Sequence, residues 1–184
     1  MRASGYAIAE REYYTEPEWC VDALIASLHH AGLAPGTIWD PACGSGTIPM
    51  RFKEAGCRVI GSDIEPAWSA AKTKKFEDFH KMPAGVDVIV SNPPFSLIEP
   101  WVRHGFNIGA RRVVFIARLA LLEGARRCAE FWAAYPPRYV WVCSRRPSMP
   151  PGGTGIKKSG GSVAYAWFDW WRNNTDEPVV RWIK

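Results

Sequence analysis

The 184-residue sequence lacks several features of membrane, secreted and metal-binding proteins. No apolar run reaches the roughly 18 residues needed to cross a bilayer, and no signal peptide precedes the first predicted helix. The five cysteines form no CxxC pair and no Cys/His spacing of a zinc site, which predicts reduced thiols and no bound metal. We therefore expect a soluble, cytoplasmic protein without a membrane partner.

Two common phosphate-binding signatures are also missing. The turn DPACGSG does not complete the GxGxxG pattern, because Pro49 stands where the third glycine would be. No Lys-Ser/Thr pair follows the glycines, as it would in a phosphate-cradling loop. A pyrophosphate is therefore a poor candidate ligand for this turn.

Acidic residues are absent from the segment 144–162, which is rich in Gly, Pro and Ser and cannot pack a core. It is either a solvated hairpin loop or a basic loop that contacts phosphates. The net charge of +5 suits a polyanionic partner. We hypothesise that the four basic side chains of this loop contact phosphates: Arg145, Arg146, Lys157 and Lys158.

The order of predicted elements indicates an α/β fold in one domain, residues 1–184. A helix is expected from an N-cap at Thr15 to Gly32, and another over residues 67–79. The alternation βαβαβαβ predicts a parallel sheet with helices on both faces. The last two strands, RYVWVC and VAYAWFDWW, are predicted to form an antiparallel hairpin that closes the sheet.

Three motifs follow predicted strands in succession: DPACGSG, GSDIEP and NPPF. Ligands of open parallel sheets bind beyond the carboxyl ends of the strands. Gly44 and Gly46 allow the backbone to approach a ligand, and Asp40 can accept hydrogen bonds from an ammonium group. A carboxylate of Asp63 or Glu65, about 20 residues after the glycines, is placed to bind the two hydroxyls of a ribose.

In this order the three motifs resemble the class I S-adenosylmethionine-dependent methyltransferases, and within them the amino-group methylases that modify adenine in DNA. The resemblance covers roughly residues 13–171. The segments RLALLEG, RRP and AYAWFDWW are similar to compact, phage-type adenine methylases. The resemblance implies a Rossmann-like sheet, S-adenosylmethionine as cofactor, DNA as partner and no metal. At 184 residues, the chain is expected to have no separate target-recognition domain.

The resemblance also implies a set of cofactor contacts. DPACGSG would surround the methionine moiety, Asp63 the ribose, EDF the adenine, and YYTEP would close over the methionine end. The implied contacts are Tyr14, Thr15, Asp40, Pro41, Cys43, Gly44, Gly46, Asp63, Ile64, Asp78, Phe79 and Asn92.

The residues of NPPF suit the methylation of a planar amino group, whose lone pair is delocalised. Acceptors on Asn92 and on the main chain of Pro93 would bind the two amino hydrogens and localise that lone pair. Pro93 and Pro94 fix the turn, and Phe95 would stack on a base extruded from the duplex. Methyl transfer is then a direct displacement without a dedicated general base. Carbon methylation of cytosine would need a nucleophilic cysteine in place of Asn92.

The same tetrapeptide resembles methylases of adenine in RNA and of glutamine in proteins, although glutamine-directed relatives carry an extra N-terminal helical domain. A module that binds nucleic acid without turnover is a further alternative. A catalyst should bind S-adenosylmethionine, whereas such a module need not, so cofactor binding distinguishes the two alternatives. The sequence leaves the oligomeric state open.

Overall fold

The computed structural model describes residues 14–151 and 161–184. Its sheet has eight strands, in the order β3-β2-β1-β4-β5-β7-β6-β8. The strands are β1 (Thr37–Asp40), β2 (Arg58–Asp63), β3 (Lys72–Thr73), β4 (Val88–Ser91), β5 (Arg112–Arg118), β6 (Tyr139–Cys143), β7 (Tyr165–Trp171) and β8 (Val179–Ile183). The helices are α1 (Glu18–His30), α2 (Thr47–Glu54), α3 (Ile98–Asn107) and α4 (Ala125–Arg127), the last continued by a π-helical turn over Cys128–Trp132.

Neighbouring strands pair in parallel everywhere except along β7, which is antiparallel to both β5 and β6. This arrangement confirms the predicted mostly parallel sheet with an antiparallel C-terminal hairpin. Because β1, β2, β4 and β5 are parallel, their carboxyl ends lie at one edge of the sheet. The turns that follow these strands therefore meet there.

Alternate residues of the central strands pack on opposite faces of the sheet. Ile38 and Val90 belong to one apolar cluster, which includes Leu24 of α1 and Phe52 of α2. Trp39 and Ile89 belong to the other cluster, with residues of α3. Both faces are covered, which explains why the central strands read as nearly continuous apolar runs. Among the described residues, no helix is long and apolar enough to span a membrane.

The predicted start of the first helix is wrong. The helix begins at Glu18, its N-cap is Pro17, and no side chain caps it. Thr15 lies outside the helix, and its main-chain nitrogen donates to the oxygen of Pro150 at 3.1 Å. The segment before α1 is thus held by a neighbouring loop, so the capping pattern is not used.

The helix predicted over residues 67–79 is also wrong. This stretch holds only the two-residue strand β3 and a 3-10 turn at Phe76–Asp78. The main-chain nitrogen atoms of Ala67 and Trp68 both donate to the oxygen of Gly44, 3.0 Å away, and that of Lys74 donates to the oxygen of Asp63. These bonds to the ends of β1 and β2 replace the helical ones.

The prediction that segment 144–162 does not pack into the core is wrong for its N-terminal part. Pro147, Ser148, Met149 and Pro150 are buried, and Met149 belongs to the apolar cluster beneath α1. Tyr14 forms an isolated bridge with Pro151. This part of the loop contributes to the core, whereas Lys157 and Lys158 lie outside the described residues.

Strand β8 was not predicted. β8 pairs in parallel with β6 at the edge of the sheet. β5 ends at Arg118, and a 3-10 turn occupies Leu119–Leu122.

A buried ion pair joins β5 to β7. Arg112 binds Asp169 through two hydrogen bonds of 2.9 and 2.7 Å, and it also donates to the main-chain oxygen of Leu33. The side chain of Asp169 has no exposed surface. Its carboxylate also accepts the ring N–H groups of Trp141 and Trp171. The carboxylate therefore organises three strands of the sheet.

Replacing Asp169 by Asn is expected to lower the free energy of unfolding by ~3–5 kcal/mol, because the substitution leaves a buried guanidinium without its counter-charge. Urea unfolding of the variant measures this loss. Glu130→Gln, which breaks the exposed pair with Arg126, is the control and should change stability by no more than ~1 kcal/mol. Equal effects of the two substitutions would contradict the structural role of Asp169.

Candidate functional site

A cavity of about 1090 Å³ opens at the carboxyl ends of β1, β2 and β4. It is larger than the ~300–1,000 Å³ of common ligand pockets, so it can hold a cofactor together with part of a second molecule. Its lining residues are Tyr14, Thr15, Glu16, Pro41, Ala42, Cys43, Gly44, Ser45, Asp63, Ile64, Glu65, Lys75, Phe76, Glu77, Asp78, Asn92, Pro94, Ser96, Leu97 and Trp101.

Most of the residues expected to bind the cofactor or to form the NPPF turn line this one cavity. The ten expected residues in its lining are Tyr14, Thr15, Pro41, Cys43, Gly44, Asp63, Ile64, Asp78, Asn92 and Pro94. Five expected residues lie outside the lining: Asp40, Gly46, Phe79, Pro93 and Phe95. Phe79 packs edge-on against Trp39, with 4.7 Å between the ring centroids, in the apolar cluster that includes α3.

The carboxylate of Asp63 at the end of β2 holds the glycine-rich turn in place. One carboxylate oxygen accepts the N–H of Gly44 at 2.8 Å, and the other accepts that of Glu65 at 2.9 Å. Gly46 has a φ of 87°, which only glycine adopts without strain. A Cβ atom at Gly46 would also lie 2.6 Å from the ring of Trp68. Trp68 therefore fixes the turn, a role that the sequence pattern did not reveal.

Asp40 supports the site from within the core. The side chain is buried, and its Oδ1 accepts hydrogen bonds from the Ser91 hydroxyl at 2.6 Å and from the N–H of Ala42 at 3.1 Å. Burial raises the pKa of this carboxyl well above its ordinary value, and the nearby carboxylates of Glu16 and Asp63 act in the same direction. A cationic ligand would relieve that repulsion.

The side-chain amide of Asn92 has a defined orientation. Its Nδ2 donates to the main-chain oxygen of Tyr14 and to Oε2 of Glu16, both at 2.8 Å. A main-chain oxygen only accepts hydrogen bonds, so the nitrogen and not the oxygen must face it. The amide oxygen is thereby left for another donor at the cavity wall. Glu16, which is buried, is the partner that sequence analysis missed.

The charge of the cavity lining is mostly negative. Glu16, Asp63, Glu65, Glu77 and Asp78 contribute carboxylates, and Lys75 is the one basic side chain in the lining. Such a lining favours a ligand with positive charge. The ring N–H of Trp101 donates to the carboxylate of Glu77 at 2.7 Å. The Trp101 ring also packs against the ring of Phe76, and the two form an aromatic corner of the cavity.

Cys43 is not a nucleophile in this setting. Burial raises the pKa of its thiol, and the carboxylates of Asp40 and Asp63 raise it further. The thiol therefore stays protonated near neutral pH, and its function is to fill a tight turn. Among residues 14–151 and 161–184, no group of His, Cys, Asp and Glu side chains is arranged to hold a metal ion.

Phe95 lies in an aromatic group beside the cavity. Its ring is parallel to that of Tyr14 at a centroid distance of 5.8 Å and is tilted against Tyr165 at 5.9 Å. The guanidinium of Arg118 lies over the same ring, 5.4 Å from its centroid. Of the four predicted phosphate contacts, Arg145 and Arg146 are described; both are exposed, and Arg145 lies over the ring of Trp19.

No protein-family model and no curated sequence matches the chain, whereas many solved structures share its fold. A proposed RNA methyltransferase from Pyrococcus horikoshii superposes with a TM-score of 0.64 at 16% identity, over 88% of this chain and 87% of the other. Magnesium protoporphyrin IX methyltransferase from Synechocystis, with bound S-adenosylmethionine, gives a TM-score of 0.52 at 15% identity, over 82% and 79% of the two chains.

A modification subunit of a proposed type I restriction enzyme from Vibrio vulnificus gives a TM-score of 0.56 at 13% identity, over 92% of this chain and 46% of that subunit. The fold is thus that of the class I S-adenosylmethionine-dependent methyltransferases. At these identities the likeness establishes the fold, and the activity has to be argued from the site.

Replacing Asp40 by Asn is expected to stabilise the protein at alkaline pH. The folded pKa of this carboxyl lies above its unfolded value of about 3.9, so the folded state binds the proton more tightly. The free energy of unfolding of the wild type should therefore fall as the pH rises through the interval between those two pKa values. Asn keeps an acceptor oxygen for Ser91 and Ala42 and has no charge to desolvate.

Urea unfolding at pH 5 and pH 8 measures the effect. The stability difference between Asp40→Asn and wild type should be larger at pH 8. Asp87→Asn, at an exposed carboxylate, controls for the loss of one negative charge. A difference that does not change with pH would contradict the assignment.

Proposed function

We propose that this protein transfers a methyl group from S-adenosylmethionine to the N6 amino group of adenine in DNA. The observation that carries the proposal is the orientation of Asn92 at the cavity wall. Its nitrogen is held by two protein acceptors. Its oxygen has no hydrogen bond to another of the described residues, so it is available to a donor on a ligand. An exocyclic amino group is such a donor.

The turn after β4 supplies what the amino nitrogen needs to become a nucleophile. The Asn92 side-chain oxygen and the Pro93 main-chain oxygen act as acceptors for its two hydrogens, so the lone pair becomes localised on nitrogen. The hydrogen bonds to Tyr14 and Glu16 hold the amide before the substrate arrives, which lowers the reorganisation needed during reaction. Phe95 provides an aromatic surface near the base.

The acidic cavity suits the cofactor of this reaction. S-adenosylmethionine supplies a methyl group on a positively charged sulfonium and also carries an ammonium group. In this proposal Glu16 and Asp40 balance that charge, Gly44 allows close approach, and Asp63 and Ile64 contact the ribose. The corner made by Phe76, Asp78 and Trp101 holds the adenine of the cofactor.

The choice of DNA rests on charge and on the basic loop. The chain carries a net charge of +5 although the cavity itself is acidic, so the positive charge lies elsewhere on the molecule. Arg145 and Arg146 are exposed, and we assign them, with Lys157 and Lys158, to the phosphate backbone. Adenine in RNA and glutamine in proteins present the same planar nitrogen and are alternative substrates in the assay.

Asn92→Ala is expected to lower kcat by ~10²–10³-fold, because it removes an acceptor that stabilises the developing charge on nitrogen. The assay follows labelled methyl groups from S-adenosylmethionine into unmethylated DNA, RNA and a protein extract, with nucleoside analysis of the product. Cofactor binding should be retained, which separates a lost acceptor from a collapsed site.

Asn107→Ala is the matched control, since Asn107 is an exposed residue at the end of α3. N6-methyladenine in DNA that persists in the Asn92 variant would contradict the proposed role. Label found only in RNA or protein would keep the chemistry and replace the substrate. Absence of both label and cofactor binding would leave a non-catalytic module.

Asp63→Ala is expected to weaken S-adenosylmethionine binding by at least ~10-fold, because it removes the ribose ligand and frees the turn at Gly44. Titration calorimetry measures the dissociation constant. Asp87→Ala is a matched control: Asp87 accepts the N–H groups of Gly36 and Thr37 at the opposite edge of the same sheet. If the two variants bind the cofactor equally well, Asp63 is not part of the cofactor site.

A further inference from the structure

Arg118 is a half-buried cation beside the NPPF turn. It is the last residue of β5, the strand beside β4, and its guanidinium lies over the ring of Phe95 at 5.4 Å. Burial raises the pKa of the Tyr165 hydroxyl, and the nearby guanidinium of Arg118 acts in the opposite direction. Arg118 therefore belongs to the aromatic group on the β5 side of the NPPF turn.

The hydrogen-bonding capacity of this guanidinium is not filled. Its Nε is buried and has no hydrogen-bond partner among the described residues. No carboxylate within 14–151 or 161–184 forms an ion pair with it. At the other end of the same strand, Arg112 has both the carboxylate of Asp169 and the oxygen of Leu33. A buried donor without a partner destabilises the protein. The Nε of Arg118 is therefore available to an anion that residues 14–151 and 161–184 do not supply.

The charges around the NPPF turn are distributed in a way that fits this anion. The carboxylates lie in the lining of the cofactor cavity, whereas Arg118 is not part of that lining. A positively charged cofactor and a negatively charged substrate group would therefore find separate places on the two sides of the turn. A nucleotide whose base stacks at Phe95 carries its phosphates one sugar away, within reach of an arginine on the neighbouring strand.

We propose that Arg118 binds a backbone phosphate next to the extruded adenine and so selects a nucleotide over an uncharged amide substrate. This inference rests on the proposed function. A glutamine side chain and its peptide backbone carry no negative charge, so a protein substrate would leave the guanidinium unmatched. Arg118 is a substrate-positioning residue, and the methyl transfer itself needs only the acceptors of the NPPF turn.

Arg118→Gln tests the proposal, because glutamine keeps a polar stem and removes the charge. For the oligonucleotide methylated in the transfer assay, its KM should rise by ~10-fold or more, and the dissociation constant of S-adenosylmethionine should stay the same. The slope of log KM against log salt should shrink by about 0.7–0.9, the contribution of one phosphate. Arg118→Lys should restore part of the slope. Arg58→Gln, at an exposed arginine where β2 begins, is the matched control.

A second measurement separates phosphate binding from a packing defect. A neutral methylphosphonate replaces, one at a time, the phosphates flanking the target adenine. One replacement should raise the KM of the wild type and have no further effect on Arg118→Gln. Additive losses, or a variant with the wild-type KM and salt slope, would overturn the proposal.

The outcome for the proposed function is read independently. If RNA proves to be the substrate, the same two measurements on RNA decide the role of Arg118. If a protein glutamine is methylated, the phosphate role is overturned while the methyl-transfer chemistry stands. If nothing is methylated, fluorescence anisotropy of a labelled oligonucleotide replaces KM, and an unchanged salt slope in Arg118→Gln overturns the proposal.

Discussion

The site depends on one geometric constraint, the parallel alignment of β1, β2, β4 and β5. Parallel strands buried on both faces place their carboxyl ends at a common edge, so turns that are distant in sequence become neighbours. Two hydrogen bonds then join these turns across the edge. Asp63 at the end of β2 binds Gly44 after β1, and Ser91 at the end of β4 binds Asp40 at the end of β1. Without the alignment, DPACGSG, GSDIEP and NPPF would be three unrelated loops.

The acidic groups at the cavity have a cost for stability. Asp40 lies outside the lining, where it is buried and has its pKa raised, first by burial and then by its neighbours Glu16 and Asp63. We therefore expect a neutral side chain in this position to stabilise the free protein. In the proposed function, a cationic ligand in the cavity supplies the counter-charge that these carboxylates lack.

The mostly parallel sheet, its C-terminal hairpin and the three motifs could be predicted because they depend on short patterns in the sequence. The alternation of elements indicates the parallel sheet, and DPACGSG and NPPF fall at strand ends. The prediction of a helix over residues 67–79 was wrong because tertiary contacts decide the conformation of this segment. The ring of Trp68 packs against Gly46 and Gly61. Long-range contacts of this kind leave no local signal.

Other features escaped prediction for the same reason. Met149 lies in a segment of turn-forming residues, yet it is buried because it packs beneath α1. Glu16 is an ordinary acidic residue until the fold brings it to the amide of Asn92, 76 positions away. Strand β8 follows a turn containing Asn173, which has a φ of 59°, and pairs with β6, from which β7 separates it in the sequence. Residue patterns predict elements, whereas tertiary partners select among the possible roles.

The order of strands is compatible with two proposed ligands of opposite charge at one edge of the sheet. β2 and β1 lie on one side of β4, and β5 and β7 lie on the other. Of the residues proposed to bind the cofactor, Asp63 ends β2 and Gly44 follows β1, whereas Arg118 and Tyr165 belong to the second pair of strands. Asn92 follows the strand between them. In the proposed reaction, the acceptor of the amino group therefore lies at the boundary between the two proposed ligand sites.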